Sequence, residues 1–262
     1  MITVALSTTA SGQITLTGTS YTQDFDAIGS GLPTGWSVTT SATASTLGTD
    51  ATFTETPSTW ASTTDAFKNI ASNNISFGSN STAQGNDTNR AFGWKPVGAN
   101  SGEVTPFRTG AVTLKLSNTI GYTNFALSLD IFQTYNTSGI QTYKLEYRIG
   151  DSGSFTQIGS DYLTKDASGD FTDYNLTQFT SVSLAALADQ SSPVYIRIRG
   201  VSTSGSSNLD LIGIDNFSLT YSAVPEPSTF ALLGGASALG LAALHRFRSR
   251  RVKSATKPTF SS

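Results

Sequence analysis

The chain has 262 residues, enough for one all-β domain of sandwich size with small appendages. It has no Cys and a single His, at position 245. That excludes disulfides, thiolate metal sites and cysteine nucleophiles, and it removes most histidine-dependent catalysis from the body of the chain. Charged residues are only 13% of the total; ten basic and eighteen acidic residues precede Phe230 and six basic residues follow it, so a body of net charge −8 is followed by a tail of +6. An acidic body argues against nucleic acid as a partner.

In chain order, residues 1–12 come first. They contain no Lys or Arg, and the apolar run Ile2–Leu6 is short for the core of a signal peptide. Small residues at Ala10 and Gly12 suit signal peptidase, and the segment reads as the remnant of a signal peptide truncated by a late start.

Residues 13–222 follow a period of two. Leu127, Leu129 and Ile131 alternate with Ser128 and Asp130. Tyr143, Leu145, Tyr147 and Ile149 alternate with Lys144, Glu146 and Arg148, and Val194, Ile196 and Ile198 with Tyr195, Arg197 and Arg199. Each is the pattern of a strand with one face in the core and one in water. Further strands are predicted over Ile14–Thr19, Ala111–Leu116, Phe155–Ile158, Thr180–Leu184 and Leu209–Tyr221, separated by turn signals such as Gly150-Asp-Ser-Gly153. Leu184–Asp189 is the one helix-like stretch of the body. Residues 39–90, rich in Ser, Thr, Asn and Gly, predict short strands and ordered loops on one side of the domain. The sum is an all-β, antiparallel jelly-roll-like sandwich.

The C-terminal end has three parts. Residues 223–229 hold Val224, Pro225, Glu226, Pro227 and Ser228, where prolines stop the preceding strand. Residues 230–245 contain no acidic residue, Lys or Arg and predict a short transmembrane helix. The uncharged run 230–244 is about 22 Å long as a helix, against a hydrocarbon core of about 30 Å. Residues 246–262 form a basic tail in which Arg246, Arg248, Arg250 and Arg251 stop transfer on the cytoplasmic side.

This three-part order resembles the PEP-CTERM sorting signal. The resemblance implies an exported bacterial protein that passes through the membrane. It also implies an exosortase-type membrane protease as partner, which recognises Pro225, Glu226 and Pro227 and cuts nearby. The tail to Ser262 is longer than is usual in that family. The body resembles jelly-roll ectodomains of secreted bacterial proteins, through Asp24-Phe-Asp26, Leu32-Pro-Thr-Gly-Trp36, Arg90-Ala-Phe-Gly93 and Ile212-Gly-Ile-Asp-Asn-Phe217.

Four constellations have the residue types for chemistry. Gly150-Asp-Ser-Gly153 looks like a protease serine motif, but a triad needs a histidine that the body lacks, so a hairpin turn is expected. Glu55, Glu103 and Glu146 are candidates for a glycosidase pair, with Glu146 expected on an exposed face as a cross-strand charge partner. Along Leu209–Tyr221 the odd-numbered positions are mostly apolar, which turns Asp215 toward the core unless a bulge intervenes. Similar jelly rolls imply structural calcium there, held by Asp215 with Asp24 or Asp26; the alternative is that these carboxylates cap backbone N–H groups. Trp36, Trp60, Trp94, Tyr135, Tyr162 and Tyr174 are available to stack on sugar rings, with Trp60 the best exposed candidate and Trp36 and Trp94 better suited to the core.

The expectation is a non-enzymatic component of the bacterial surface or extracellular matrix. The alternative is a carbohydrate-binding module that holds extracellular polysaccharide.

Overall fold

The period-two stretches become strands whose apolar sides meet. A computed structural model describes residues 12–59, 67–73, 80–96, 109–135, 141–163, 175–201 and 210–225. The chain divides into two units, Met1–Ala223 and Val224–Ser262, and all the elements described here belong to the first.

One seven-stranded sheet, sheet 1, runs in the order β12 (Asn175–Ser183), β8 (Tyr122–Tyr135), β14 (Leu211–Ala223), β6 (Arg90–Trp94), β5 (Phe67–Ala71) and β4 (Phe53–Thr54), with β1 (Ser20–Gln23) also on β14. Sheet 2, also seven-stranded, runs β10 (Thr156–Gln157), β9 (Thr142–Ile149), β13 (Val194–Val201), β7 (Ala111–Leu116), β2 (Trp36–Thr40) and β3 (Thr49–Asp50), with β11 (Tyr162–Leu163) also on β9. The pairings are antiparallel except β4 with β5 and an isolated bridge from Ile14 to Leu116. The architecture is an all-β sandwich.

The core lies between the sheets. Val194, Ile196 and Ile198 of β13 share one buried cluster with Leu127, Leu129 and Ile131 of β8 and with Ile212 and Ile214 of β14. Each such side chain contributes about 1.5–3 kcal/mol when fully removed from water. Aromatic rings join the layers edge to face: Trp36 meets Phe25 and Phe217 at centroid distances of 5.1 Å each, and Trp94 meets Tyr143 at 5.0 Å. A second, smaller cluster of Ile70, Ala91, Phe132 and Leu211 is buried on the outer side of sheet 1.

Several elements differ from expectation. Ile14–Thr19 makes only the bridge at Ile14, and the first strand starts at Ser20 after a turn with Gly18 at φ 69°. The strand expected at Thr180–Leu184 is longer and starts earlier, as β12, with mostly exposed side chains. Leu184–Asp189 narrows to a 3₁₀ turn at Ala185–Leu187. Residues 39–90 include a helix, α1 (Ser81–Asn86), capped by Asn80 Oδ1, which accepts from the Ala83 N–H at 2.9 Å. Among the described residues no helix is long and apolar enough to cross a membrane; the span predicted over 230–245 lies outside them.

Candidate functional site

Asp215 is buried, but away from the main core. The register of β14 against β8 shifts between Asp215 and Ser218, and Asn216 has φ 50°. This bulge moves the apolar phase from even to odd numbers: Ile212 and Ile214 precede it in the core, Phe217, Leu219 and Tyr221 follow. Asp215 therefore shares the outer face of sheet 1 with Leu211, correcting the core-facing expectation. There its carboxylate accepts from the Ser72 hydroxyl and, at 2.7 Å, from the Asn216 N–H. Burial raises its pKa to about 6, the two donors oppose the rise, and the negative charges of Asp26 and Asp130 add to it.

The structure brings Asp26 near Asp215 and leaves Asp24 on an exposed turn. Asp24 Oδ1 accepts from the Asp26 N–H at 3.2 Å, and Asp26 Oδ1 from the Arg90 N–H at 2.8 Å. All three carboxylates thus cap backbone donors. Among the described residues no three acidic or histidine side chains are grouped to hold a metal ion.

Beside Asp26 opens a cleft of about 360 Å³, lined by Asp26, Gly29, Glu55, Asn69, Asp87 and Arg90 among others. Asn69 comes from β5, Arg90 opens β6, Asp26 precedes a 3₁₀ turn at Ile28–Ser30, and Asp87 follows α1. Gln84 clamps α1 to β5 through Oε1, which accepts from the Ala71 N–H at 2.9 Å. Arg90 is buried: its Nε donates to Asn69 Oδ1 at 2.8 Å and its Nη1 to the carbonyls of Gln84 and Asp87. Its Nη2 is buried with no hydrogen-bond partner among the described residues. Burial lowers the Arg90 pKa, and Asp87 and Asp26 oppose this.

The outer face of sheet 2 is also covered, contrary to expectation for Glu146. Glu146 is only 3% exposed and lies between Arg197 and Arg199, each 2.8 Å away. The segment 43–46 crosses this face: carbonyls of Thr43 and Thr46 accept from Arg197 at 2.6 and 2.8 Å, and Ala44 O accepts from the Phe155 N–H at 2.8 Å. The Arg197 guanidinium stacks on Phe155 at 3.3 Å. Burial lowers its pKa to about 10, opposed by Glu146. Glu146 lies on β9 of sheet 2, Glu55 follows β4 outside either sheet, and Glu103 lies outside the described residues.

Ser152 sits in an exposed turn between β9 and β10, flanked by Gly150 and Gly153 at φ 87° and 95°; His245 lies outside the described residues. Trp36 and Trp94 are buried, with Trp36 Nε1 donating to Tyr21 at 2.8 Å, and Tyr162 packs against Tyr143. Trp60 and Tyr174 lie outside the described residues, as do Glu226, Pro227, Ser228, Arg246, Arg248, Arg250 and Arg251; Val224 and Pro225 follow β14 as exposed chain. The cleft residues Asn69, Asp87 and Arg90 were not singled out for chemistry by the sequence reading, because only the fold brings them together.

Comparison with known proteins gives three findings. No curated protein matches the chain. Among solved structures, the chain is similar to the K1 and K3 cleaved adhesin domains of Lys-gingipain from Porphyromonas gingivalis W83. Both are 14% identical with a TM-score of 0.42, over 78% and 76% of this chain and 98% and 97% of those. It is also similar to TmCBM61 in complex with beta-1,4-galactotriose, 10% identical over 76% of this chain and 94% of that one, at a TM-score of 0.34. These likenesses bring no site or ligand to this chain. The family model for the PEP-CTERM protein-sorting motif matches residues 223–251, so the chain carries that sorting motif, beginning where β14 ends.

Proposed function

We propose that this is an exported bacterial protein of the cell surface or extracellular matrix, without catalytic activity, sorted through its C-terminal motif. An exosortase-type membrane protease binds Pro225-Glu226-Pro227 and cuts beside it. The observation that carries the reading is the motif match over 223–251. Its physical sense follows from the residues. Two prolines keep the recognition element extended, with its backbone open to a protease. The uncharged run 230–244 holds the chain in the bilayer during export, and the arginines from Arg246 onward stop its transfer. The non-catalytic reading is supported by Glu146, which is engaged by two arginines, and by Ser152, which sits on an exposed turn. Intact mass of the protein recovered from the host surface and medium tests the sorting step. A C-terminus near Pro225–Ser228 is expected; a chain running through Ser262 overturns cleavage and makes the tail a permanent anchor.

A second reading is retention of extracellular polysaccharide through exposed aromatics. The burial of Trp36 and Trp94 narrows its tryptophan candidates to Trp60. Binding on a glycan array that is lost in Trp60→Ala supports it; binding unchanged in that variant removes Trp60 from the site.

A further inference from the structure

We infer that the sorting protease cuts this chain within Pro227-Ser228-Thr229, at the bond after Pro227 or the bond after Ser228, and that the folded body sets the amino-side limit of the cut. The inference rests on the sorting reading above and fixes where in the motif the chain is divided.

The first observation is how far the body holds the chain. β14 stays paired with β8 to its end, Ser222 with Thr123 and Ala223 with Tyr122. Just before them Tyr221 is buried. Its N–H donates to Thr19 O and its hydroxyl to Thr17 O, each at 2.9 Å, and its ring meets those of Tyr122 and Phe125 at 4.9 and 5.5 Å. Only Val224 separates this anchored strand from Pro225. A protease holds an extended stretch of substrate by main-chain pairing and by pockets for alternate side chains. Residues up to Ala223 are already engaged by β8 and, at Tyr221, by the chain at Thr17 and Thr19. They enter such a groove only after the strand end is peeled away.

The second observation is the chemistry of the bonds beyond Ala223. Val224–Pro225 and Glu226–Pro227 end on a proline nitrogen. That nitrogen has no N–H, so the groove loses the donor it would hold just after the cut. Pro225–Glu226 leaves only two unanchored residues, Val224 and Pro225, on the amino side. The bond after Pro227 leaves four, 224–227, and the bond after Ser228 leaves five. On the carboxyl side the uncharged run begins at Phe230, and a cut after Thr229 would need that run drawn out of the bilayer. In the step itself the amide C–N bond breaks. The carbonyl carbon of Pro227 or Ser228 takes the hydroxyl of water, and the nitrogen of the next residue takes its hydrogen.

The test is peptide mapping of both products from the native host: the C-terminus of the body in surface and medium fractions, and the N-terminus of the tail in membranes. A body ending at Pro227 or Ser228 is expected, with a tail that starts at the next residue. A body ending at or before Glu226, with a tail that starts at the next residue, overturns the limit set by β14 and leaves the sorting reading standing. A division after Thr229 or later overturns the carboxyl-side limit. A chain running through Ser262 overturns the inference and the sorting reading together. Two variants test the role of the body. Deletion of Val224 should lower the yield of released body several-fold and accumulate the uncut chain. Gly-Ser-Gly added after Ala223 in that variant should restore release at the same bond. Undiminished release without Val224, or no rescue by the added residues, overturns the role of the body and assigns the cut to the motif alone.

Discussion

The outer faces of the two sheets each bury a carboxylate, and they do so in opposite ways. On sheet 2, Glu146 lies between Arg197 and Arg199, under a segment whose carbonyls accept from Arg197. On sheet 1, Asp215 is 1% exposed and is met by a hydroxyl and a backbone N–H, with the acids Asp26 and Asp130 close enough to repel it. Burial alone raises the free energy of a charge. On sheet 2 that cost is offset by ion pairs and directed hydrogen bonds. On sheet 1 it is expressed as a carboxyl group that holds its proton to about pH 6.

The largest effect should come from breaking the sheet 2 pair. Glu146→Gln leaves two buried guanidinium groups without a counter-charge, and loss of about 3–5 kcal/mol in denaturant unfolding is expected. A loss under about 1 kcal/mol, the range of surface ion pairs, would show that the arginines do not depend on Glu146.

Asp215 should show its effect as pH dependence. Its pKa is about 6 when folded, against an ordinary 3.8. Between those values the folded protein keeps a proton that the unfolded chain has released. Stability should therefore fall as pH rises from about 4 to about 6, by a total on the order of 2–3 kcal/mol from this group. Thermal unfolding across that range should lose this component in Asp215→Asn. An identical slope in the variant would assign the dependence to other groups.

On the same face, Gly213 lies under the Phe132 ring, and a Cβ there would overlap it. Gly213→Ala should cost about 1–3 kcal/mol by overpacking; a neutral result would mean that Phe132 is free to move aside.

The smallest effect is expected at Lys144, whose ammonium is 2.8 Å from Asp161 at the edge of sheet 2. That ammonium holds the Asp161 carboxyl below its ordinary range. Both side chains are partly exposed, so Lys144→Met should change stability by less than about 1 kcal/mol. A double-mutant cycle with Asp161→Asn measures the coupling, and a value near that of Glu146 would erase the contrast between covered and open pairs.

What could be read in advance follows from how local each signal is. The alternation in Tyr143–Ile149 and Val194–Arg199 gave β9 and β13, because each strand has two different sides. The first part of β12 was missed, since side chains such as Leu176, Thr177 and Gln178 are exposed and carry no apolar period. The sorting motif was legible because composition over one short stretch defines it. The side on which Asp215 falls turned on a single bulge, whose trace in the sequence is the change of phase between Ile214 and Phe217. The burial of Glu146 depends on residues 43–46, about a hundred positions away, and no local pattern announces that crossing. The cleft is likewise assembled from four separate stretches of chain, around Asp26, Glu55, Asn69 and Asp87–Arg90.

The position of β14 has a consequence for the order of events in export. This strand joins sheet 1 together: β8 pairs along one side of it, while β6 and β1 divide the other. Without it the sheet separates into β12 with β8, the β4–β6 group, and an isolated β1. It is also the last strand before the sorting motif. On the proposed route sheet 1 cannot be completed until β14, which ends at Ala223, has crossed the membrane. Sheet 2 does not share this dependence, since its strands all lie before residue 202.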